Sequence, residues 1–439
     1  MKRIALIACL MGALVFNSSM EASHAAEVDV LINKLVEKGL LTRQEAGQLL
    51  NEMQKEGARQ ETTVKETAEK VAKETAAKTV KEESKDFAKL PKWVSRIDFK
   101  GDFRLRYQYK DNESSSGVTT NKNIGRYRWR FGAVADVTED KKWQVGFGLA
   151  SGSGDPRSTN QTFTNDFEHP DARIDYAYAQ FQPFKEWKII GGQFKNPIYK
   201  PKDLVWDGDI TPEGITAPFT YKVSDQFGFF VTPALFVLEN FTPKGESDST
   251  AWMFVLQPGV SINPTKETWI KLAAAWYNNT GVKGNSFKWS SGTNSTDANG
   301  DLIYDYSSIG LDGEVGFKFK SYIQQAAVFV QFIKSDADND DTCWLAGFKF
   351  GRDVKDLADW EFKYNYRHLE KDAVLDFLPD SDFYSGKTNS EGHEFELKFG
   401  LAKHVYLALD YYRTEKIDHD PKKTAEPEDL FQFDVNFKF

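Results

Sequence analysis

Cysteine is nearly absent from this chain: two residues in 439, and one of them, Cys9, lies in an N-terminal segment that reads as a cleaved leader. Cys343 is then alone. No intramolecular disulfide can staple the mature chain, so stability must come from strand pairing and burial. Long apolar runs are equally scarce, and nothing beyond the N-terminus approaches the roughly 20 apolar residues of a membrane helix. Positive charge is not in excess either. Lys and Arg number 56 against 65 Asp and Glu, a net charge of −9. No basic patch interleaved with aromatics offsets it, which excludes a nucleic-acid partner. Of the six His, one is in the leader. His169, His368, His393, His404 and His419 have no GxSxG, HExxH or Cys-x-x-Cys neighbours, so no hydrolase nucleophile and base are assembled. Without Cys-x-x-Cys-His the chain carries no c-type haem of its own. Neither an enzyme nor a cofactor is expected.

What is present is aromatic: 34 Phe, 17 Tyr and 11 Trp, with 31 Gly. Residues 1–25 have the layout of a secretory signal, with Lys2 and Arg3 ahead of an apolar core from Ile4 to Phe16. Small residues at Ser23 and Ala25 suit a signal peptidase. Residues 26–90 change character. Leu31, Leu35, Leu40, Leu41, Leu49, Leu50 and Met53 fall at near-helical spacing, Gly39 interrupts them, and Thr42 with Glu45 forms a capping box. The following stretch to Lys89 is rich in Ala, Lys, Glu and Thr. It reads either as a periplasmic, coiled-coil-like helix or as a solvated charged spacer.

From Trp93 the period becomes two. Phe99, Phe103, Leu105, Tyr107 and Tyr109 alternate with Lys100, Asp102, Arg104, Arg106 and Gln108. Tyr127, Trp129 and Phe131 alternate with Arg126, Arg128 and Arg130. The run Phe431, Phe433, Val435, Phe437, Phe439 does the same to the last residue. Such strands have one apolar and one wet face. A soluble protein buries the apolar face; a barrel in lipid turns it outward and its charged face to a water-filled lumen. The charged face here is too polar for a packed interior. Short turns (Glu139–Lys142, Lys320–Ser321, Lys403–His404) alternate with long Gly-, Ser-, Asn- and Asp-rich connections, among them 111–123, 151–170, 278–304, 371–390 and 416–428, as membrane barrels require. Termini on one side of the membrane demand an even strand count. A first count of fifteen becomes sixteen when the region 214–240 is divided at Val223–Gln226, with Pro218 and Pro233 needing edge-like or bulged positions; fourteen and eighteen are the neighbouring possibilities. The expected fold is an all-β transmembrane antiparallel barrel of about sixteen strands over residues 93–439, behind the short α-helical segment.

Two segments stand apart from the repeating pattern: Gly191-Gly192-Gln193-Phe194-Lys195-Asn196-Pro197 and Asp203-Leu204-Val205-Trp206-Asp207-Gly208-Asp209-Ile210-Thr211-Pro212-Glu213-Gly214. The pair resembles the putative-porin family of Gram-negative outer-membrane barrels. The resemblance implies passive diffusion of small hydrophilic solutes or ions, with the third long loop narrowing the pore. Asp203, Asp207, Asp209 and Glu213 would then lie at the constriction. They read either as a cation-favouring acidic ring or as carboxylates that cap turns. Ca²⁺, which favours hard oxygen ligands, is a further possibility, although the spacing is not that of an EF-hand. Arg104, Arg106, Arg126, Arg128 and Arg130 form a basic ladder on the lumen phase of the first two strands. It either sets a field across the pore or braces the wall by pairing with Asp98, Asp102 and Asp136. Phe439 reads as the signal for the barrel assembly machinery. The expected partners are outer-membrane lipid and two further copies in a homotrimer. The alternative is a non-conducting barrel that anchors the envelope at peptidoglycan or sheathes a cytochrome.

Overall fold

The computed structural model describes residues 94–439 apart from 164–166, 168 and 242–248, together with positions 34, 36, 38, 42, 44, 45, 47 and 48. The chain divides into two units, Met1–Pro91 and Lys92–Phe439. In the first, Glu45 Oε2 accepts from Thr42 N at 2.8 Å, and Thr42 Oγ1 accepts from Glu45 N at 3.3 Å, the reciprocal bonds of a capping box. The expected leader and most of segment 26–90 lie outside the described residues.

The second unit is a closed antiparallel barrel of sixteen strands. In chain order they are β1 (Ile97–Glu113), β2 (Thr119–Asp136), β3 (Trp143–Ala150), β4 (Arg173–Phe184) and β5 (Trp187–Gln193). Strand β6 runs in two pieces, Glu213–Thr216 and Phe219–Lys222, and is followed by β7 (Phe227–Phe241), β8 (Ser249–Ile262) and β9 (Thr268–Thr280). Then come β10 (Ser308–Lys318), β11 (Gln325–Ser335), β12 (Thr342–Gly351) and β13 (Trp360–Leu369). The last three are β14 (Ser390–Ala402), β15 (Val405–Lys416) and β16 (Glu428–Lys438). Residues Gln161–Thr162 continue the β3 side of the sheet along β2. Closure is direct, because β1 pairs with both β2 and β16, so that Asp102 sits between Arg130 and Lys438.

Burial decides which face is which. On β16, Phe431, Phe433 and Phe437 are 36–39% exposed, whereas Gln432 and Asp434 are 0% and 2%. Aromatic residues face out and polar ones in, the inverse of a soluble fold and the arrangement lipid demands. The divided sixth and seventh strands are as expected: β6 ends at Lys222, Val223 N donates to Phe227 O at 3.0 Å, and β7 begins at Phe227. Pro218 lies in the break of β6, where a missing N–H costs no ladder bond.

Two expectations are corrected. Residues 111–123 are not a loose loop: β1 and β2 stay paired as far as Glu113 opposite Thr119, leaving 114–118 as a hairpin turn. Continued ladder bonding there overrides a turn-like composition. The interior is also not polar throughout. Inward residues of β7–β9, β11 and β12, including Phe236, Met253, Val255, Tyr277, Phe329 and Leu345, join one buried apolar cluster with residues from three loops. These loops are L3 (194–212), L5 (281–307) and L7 (370–389).

Candidate functional site: the loops inside the barrel

L3 begins and ends on a matched pair of glycines. Gly192 and Gly214 lie opposite each other between β5 and β6, with φ of 121° and 149°. A Cβ on Gly192 would come within 2.3 Å of Ala177 O, and one on Gly214 within 2.0 Å of Leu235 O. Only glycine fits both the conformation and the close approach. This explains why both segments stand out in the sequence.

From that base L3 crosses the lumen and is held by its backbone. Gln257 on β8 accepts from Tyr199 N at 2.7 Å and donates to Tyr199 O at 2.8 Å. Gln331 on β11 accepts from Leu204 N at 3.4 Å. Asp312 on β10 orients both amides, accepting from Gln331 Nε2 at 2.8 Å and Gln257 Nε2 at 3.3 Å. Trp206, 2% exposed, packs edge-on against Phe236 and lies 6.4 Å from Tyr277.

The far end of L3 reaches β13 and β14. Arg367 on β13, 2% exposed, donates to Asp380 of L7 at 3.0 Å and to Glu394 of β14, and forms an ion pair with Asp203 of L3 at 2.9 Å. Lys202 also binds Glu394, at 2.7 Å. The carboxylate oxygens of Asp203, Asp380 and Glu394 lie within 4.8 Å of one another, a grouping that could hold a cation. The Arg367 guanidinium forms ion pairs with all three, so the compensating positive charge is the protein's own. Burial raises the Asp203 carboxyl, but Lys202, Arg367 and Lys200 outweigh it and bring it to about 2. Asp380 ends the other way: burial, then repulsion from Asp203, pushes it up to about 7 against the pull of Arg367.

The expected constriction residues therefore separate into different roles. Asp203 belongs to this arginine knot. Asp207 meets no cation within ion-pair distance among the described residues. It accepts from Asp209 N and from Ser381 N of L7, both at 2.8 Å, while its own N donates to Leu378 O. Burial, reinforced by Asp380 and Asp209, holds its carboxyl well above the usual range. Asp209 faces the ladder, accepting from Arg130 Nη1 at 3.1 Å and from Thr159 Oγ1 at 3.0 Å, with Arg128 3.9 Å away. Glu213 is exposed at the start of β6, opposite Gln193.

In the ladder, Arg128 and Arg130 share Asp102 at 2.9 and 2.8 Å. Arg106 binds Asp434 with two nitrogens at 2.8 Å and Asp382 of L7 at 3.0 Å. Arg104 lies 3.4 Å from Asp434 and donates to Asn160. Arg126 makes no ion pair among the described residues, and its Nε is buried without a partner. Of the three aspartates expected to brace the ladder, only Asp102 does so; Asp136 accepts from Gln144 and lies 3.6 Å from Lys141.

L7 is the part that sequence reasoning missed. Its segment 373–378 joins the apolar cluster, Phe377 stacks on Phe287 of L5 at 5.0 Å, and Asp376 accepts from Ser290 Oγ and Thr293 N of L5. Arg157, in the β3–β4 connection L2 (151–172), ties the same loop down by donating to Asp376 O and Gly386 O. An apolar run, Ala373-Val374-Leu375-Asp376-Phe377-Leu378, inside an otherwise polar connection was the available signal.

Comparison with known proteins accords with this architecture. The family model described as "Putative porin" matches residues 63–123, 110–304 and 303–439. A high-pH structure of OprB from Pseudomonas putida shares the fold, with a TM-score of 0.50 and 13% identity over 79% of this chain and 95% of that one. A triple mutant of the Rhodopseudomonas blastica porin aligns with a TM-score of 0.43 and 11% identity, over 78% of this chain and 100% of that one. No curated protein matches the chain. With a family match over most of its length and a closed sixteen-stranded barrel, the chain belongs to the porin family so described and is an outer-membrane channel protein.

Proposed function

We propose that this porin admits small hydrophilic solutes or ions by passive diffusion, and that L3 and L7 together narrow its lumen. The observation that carries the reading is the division of the interior. Apolar packing of L3, L5 and L7 fills the side bounded by β7–β12. The opposite wall, β14–β16 with β1 and β2, keeps charged and amide side chains such as Arg104, Arg128, Gln432 and Asp434. A solute would run along that wall, past the Arg130–Asp209 ion pair where L3 meets it. The fixed charges of the wall orient permeating charges. No bond is made or broken, and flux follows the gradient.

Planar bilayers test this. The reconstituted barrel should give stable ohmic steps in KCl. Neutralising Asp207 and Asp209 together should shift the reversal potential in a salt gradient toward anions, mainly through Asp209, which neutralises Arg130. A silent barrel would favour the second reading, a plugged envelope anchor or sheath, which the packed apolar side of the lumen also suits. The accompanying proposal is a homotrimer with residues 26–90 in the periplasm. A heat-modifiability gel of the extracted protein tests the oligomer.

A further inference from the structure

Strands β1 and β2 set like charges directly opposite one another. Their register pairs Arg104 with Arg128, Arg106 with Arg126, and Lys110 with Lys122, all on the lumen phase. Like charges facing across a strand pair destabilise a sheet, unless an anion is bound beside them. Carboxylates do this for four of the six: Asp434 for Arg104 and Arg106, Asp102 for Arg128, and Glu428 for Lys110 at 2.7 Å. Arg126 and Lys122 have no such carboxylate among the described residues. Asp382, which shares their cleft, is already held by Arg106 Nη1 at 3.0 Å. Asp155, the other acid there, lies 3.6 Å from Arg157.

Both unpaired cations line one polar cleft of about 500 Å³ between this wall, L2 and L7. Its other surfaces include amides and hydroxyls. Gln108, 4% exposed, lines it, and its Oε1 is buried without a partner. Arg126 and Lys122 are four residues apart on one strand, so their Cα atoms are about 13 Å apart at roughly 3.3 Å per residue. Both side chains line the same cleft. A single small oxyanion would satisfy only one of them.

We infer that this cleft is a binding subsite for a small organic dianion. One carboxylate lies on the Arg126 guanidinium, whose fork matches it in plane, and the second on the Lys122 ammonium. A hydroxyl between them meets the hydroxyls that line the cleft, Ser153 among them. The inference rests on the porin reading for its route of access, since solute passes the cleft on entering the lumen.

Calorimetric titration of the detergent-solubilised full-length barrel at fixed ionic strength tests it, with succinate, malate, acetate and inorganic phosphate as probes. Succinate should bind at least about tenfold tighter than acetate, as one added charge-assisted hydrogen bond allows, and malate tighter still. Arg126→Gln and, separately, Lys122→Gln should each erase that tenfold advantage. Lys403→Gln, in the exposed β14–β15 turn, should retain it. Lys122 is exposed on its strand, so this variant keeps the test open if Arg126→Gln does not assemble. Equal affinity for succinate and acetate, or variants that bind like the parent, overturns the subsite. Phosphate binding that exceeds succinate and ignores Lys122→Gln also overturns it, in favour of a single-oxyanion site. KCl conductance is measured in parallel. Binding without conductance retires the porin reading and keeps the subsite; conductance without binding does the reverse.

Discussion

Replacing Arg367 by Met puts the loop-docking argument at greatest risk. The guanidinium is 2% exposed, and its partners Glu394, Asp380 and Asp203 have side chains 1%, 8% and 24% exposed. Methionine fills most of the volume and also ends the contact with the Phe383 ring, 4.8 Å from the guanidinium carbon. Three carboxylates then remain with Lys202 as the nearest cation, 2.7 Å from Glu394 and 3.7 Å from Asp203. Removing one partner of a buried ion pair costs about 3–5 kcal/mol. Strand pairing passes through the backbone of Arg367 and not its side chain, so the cost falls on the docked state of L3 and L7, whose aspartates can escape to water by undocking. At about 1.4 kcal/mol per factor of ten, the docking equilibrium shifts by roughly 10²–10⁴. The assay is trypsin cleavage after Lys202, 15% exposed in its side chain, alongside single-channel conductance. Faster cleavage and a larger, noisier conductance are expected, and adding Glu394→Gln should restore part of both. A variant with parental conductance and an uncut L3 would refute the claim that this arginine holds the loops.

Two further outcomes follow from the same geometry. Burial and its acidic neighbours raise Asp380 to about 7, whereas the undocked carboxyl titrates near 4. The docked loops therefore favour the protonated form: that advantage is complete below about pH 4 and is lost as pH rises to about 7. Open-channel conductance noise should climb across that window and level above it, and Asp380→Asn should flatten the profile. At the other end of the barrel, deleting Phe439 removes the backbone bonds it exchanges with Gly101, at 2.8 and 3.0 Å. It also removes the ring lying over that glycine. The heat-modifiable fraction in membranes should fall severalfold, and an unchanged fraction would free the terminal residue of any part in assembly.

The barrel was legible because lipid imposes a period of two on nearly every strand. The count of sixteen comes from fifteen legible strands and the parity that divides 214–240 at Val223–Gln226, even with Pro218 interrupting β6. The apolar side of the lumen was also written in the sequence: Ala251-Trp252-Met253-Phe254-Val255-Leu256 is apolar on both phases, which marks a strand buried on both faces. What hid it was the neighbouring charged strands, whose pattern was extended to the whole wall. The arginines and one partner, Asp102, are legible by phase, but their other partners are not. Asp434 and Glu394 are far away in sequence, and Asp380 and Asp382 sit in a loop whose inward fold depends on Leu375 and Phe377 finding apolar neighbours. The four acidic residues of 203–213 were read as one group because they are close in sequence. L3 spreads them among an ion-pair knot, a backbone clasp, the arginine wall and an exposed strand end.

The seam between β1 and β16 has a consequence for how the channel comes to exist. Until those strands meet, β1 presents a long row of unsatisfied donors and acceptors, the kind of edge that captures other chains. Its partner is the most distant strand in sequence, so the slowest contact to form is also the one that removes the hazard. A product lacking β16 would be an open sheet with two such edges and no lumen. Ring closure thus removes the last free backbone edges and encloses the lumen in one event.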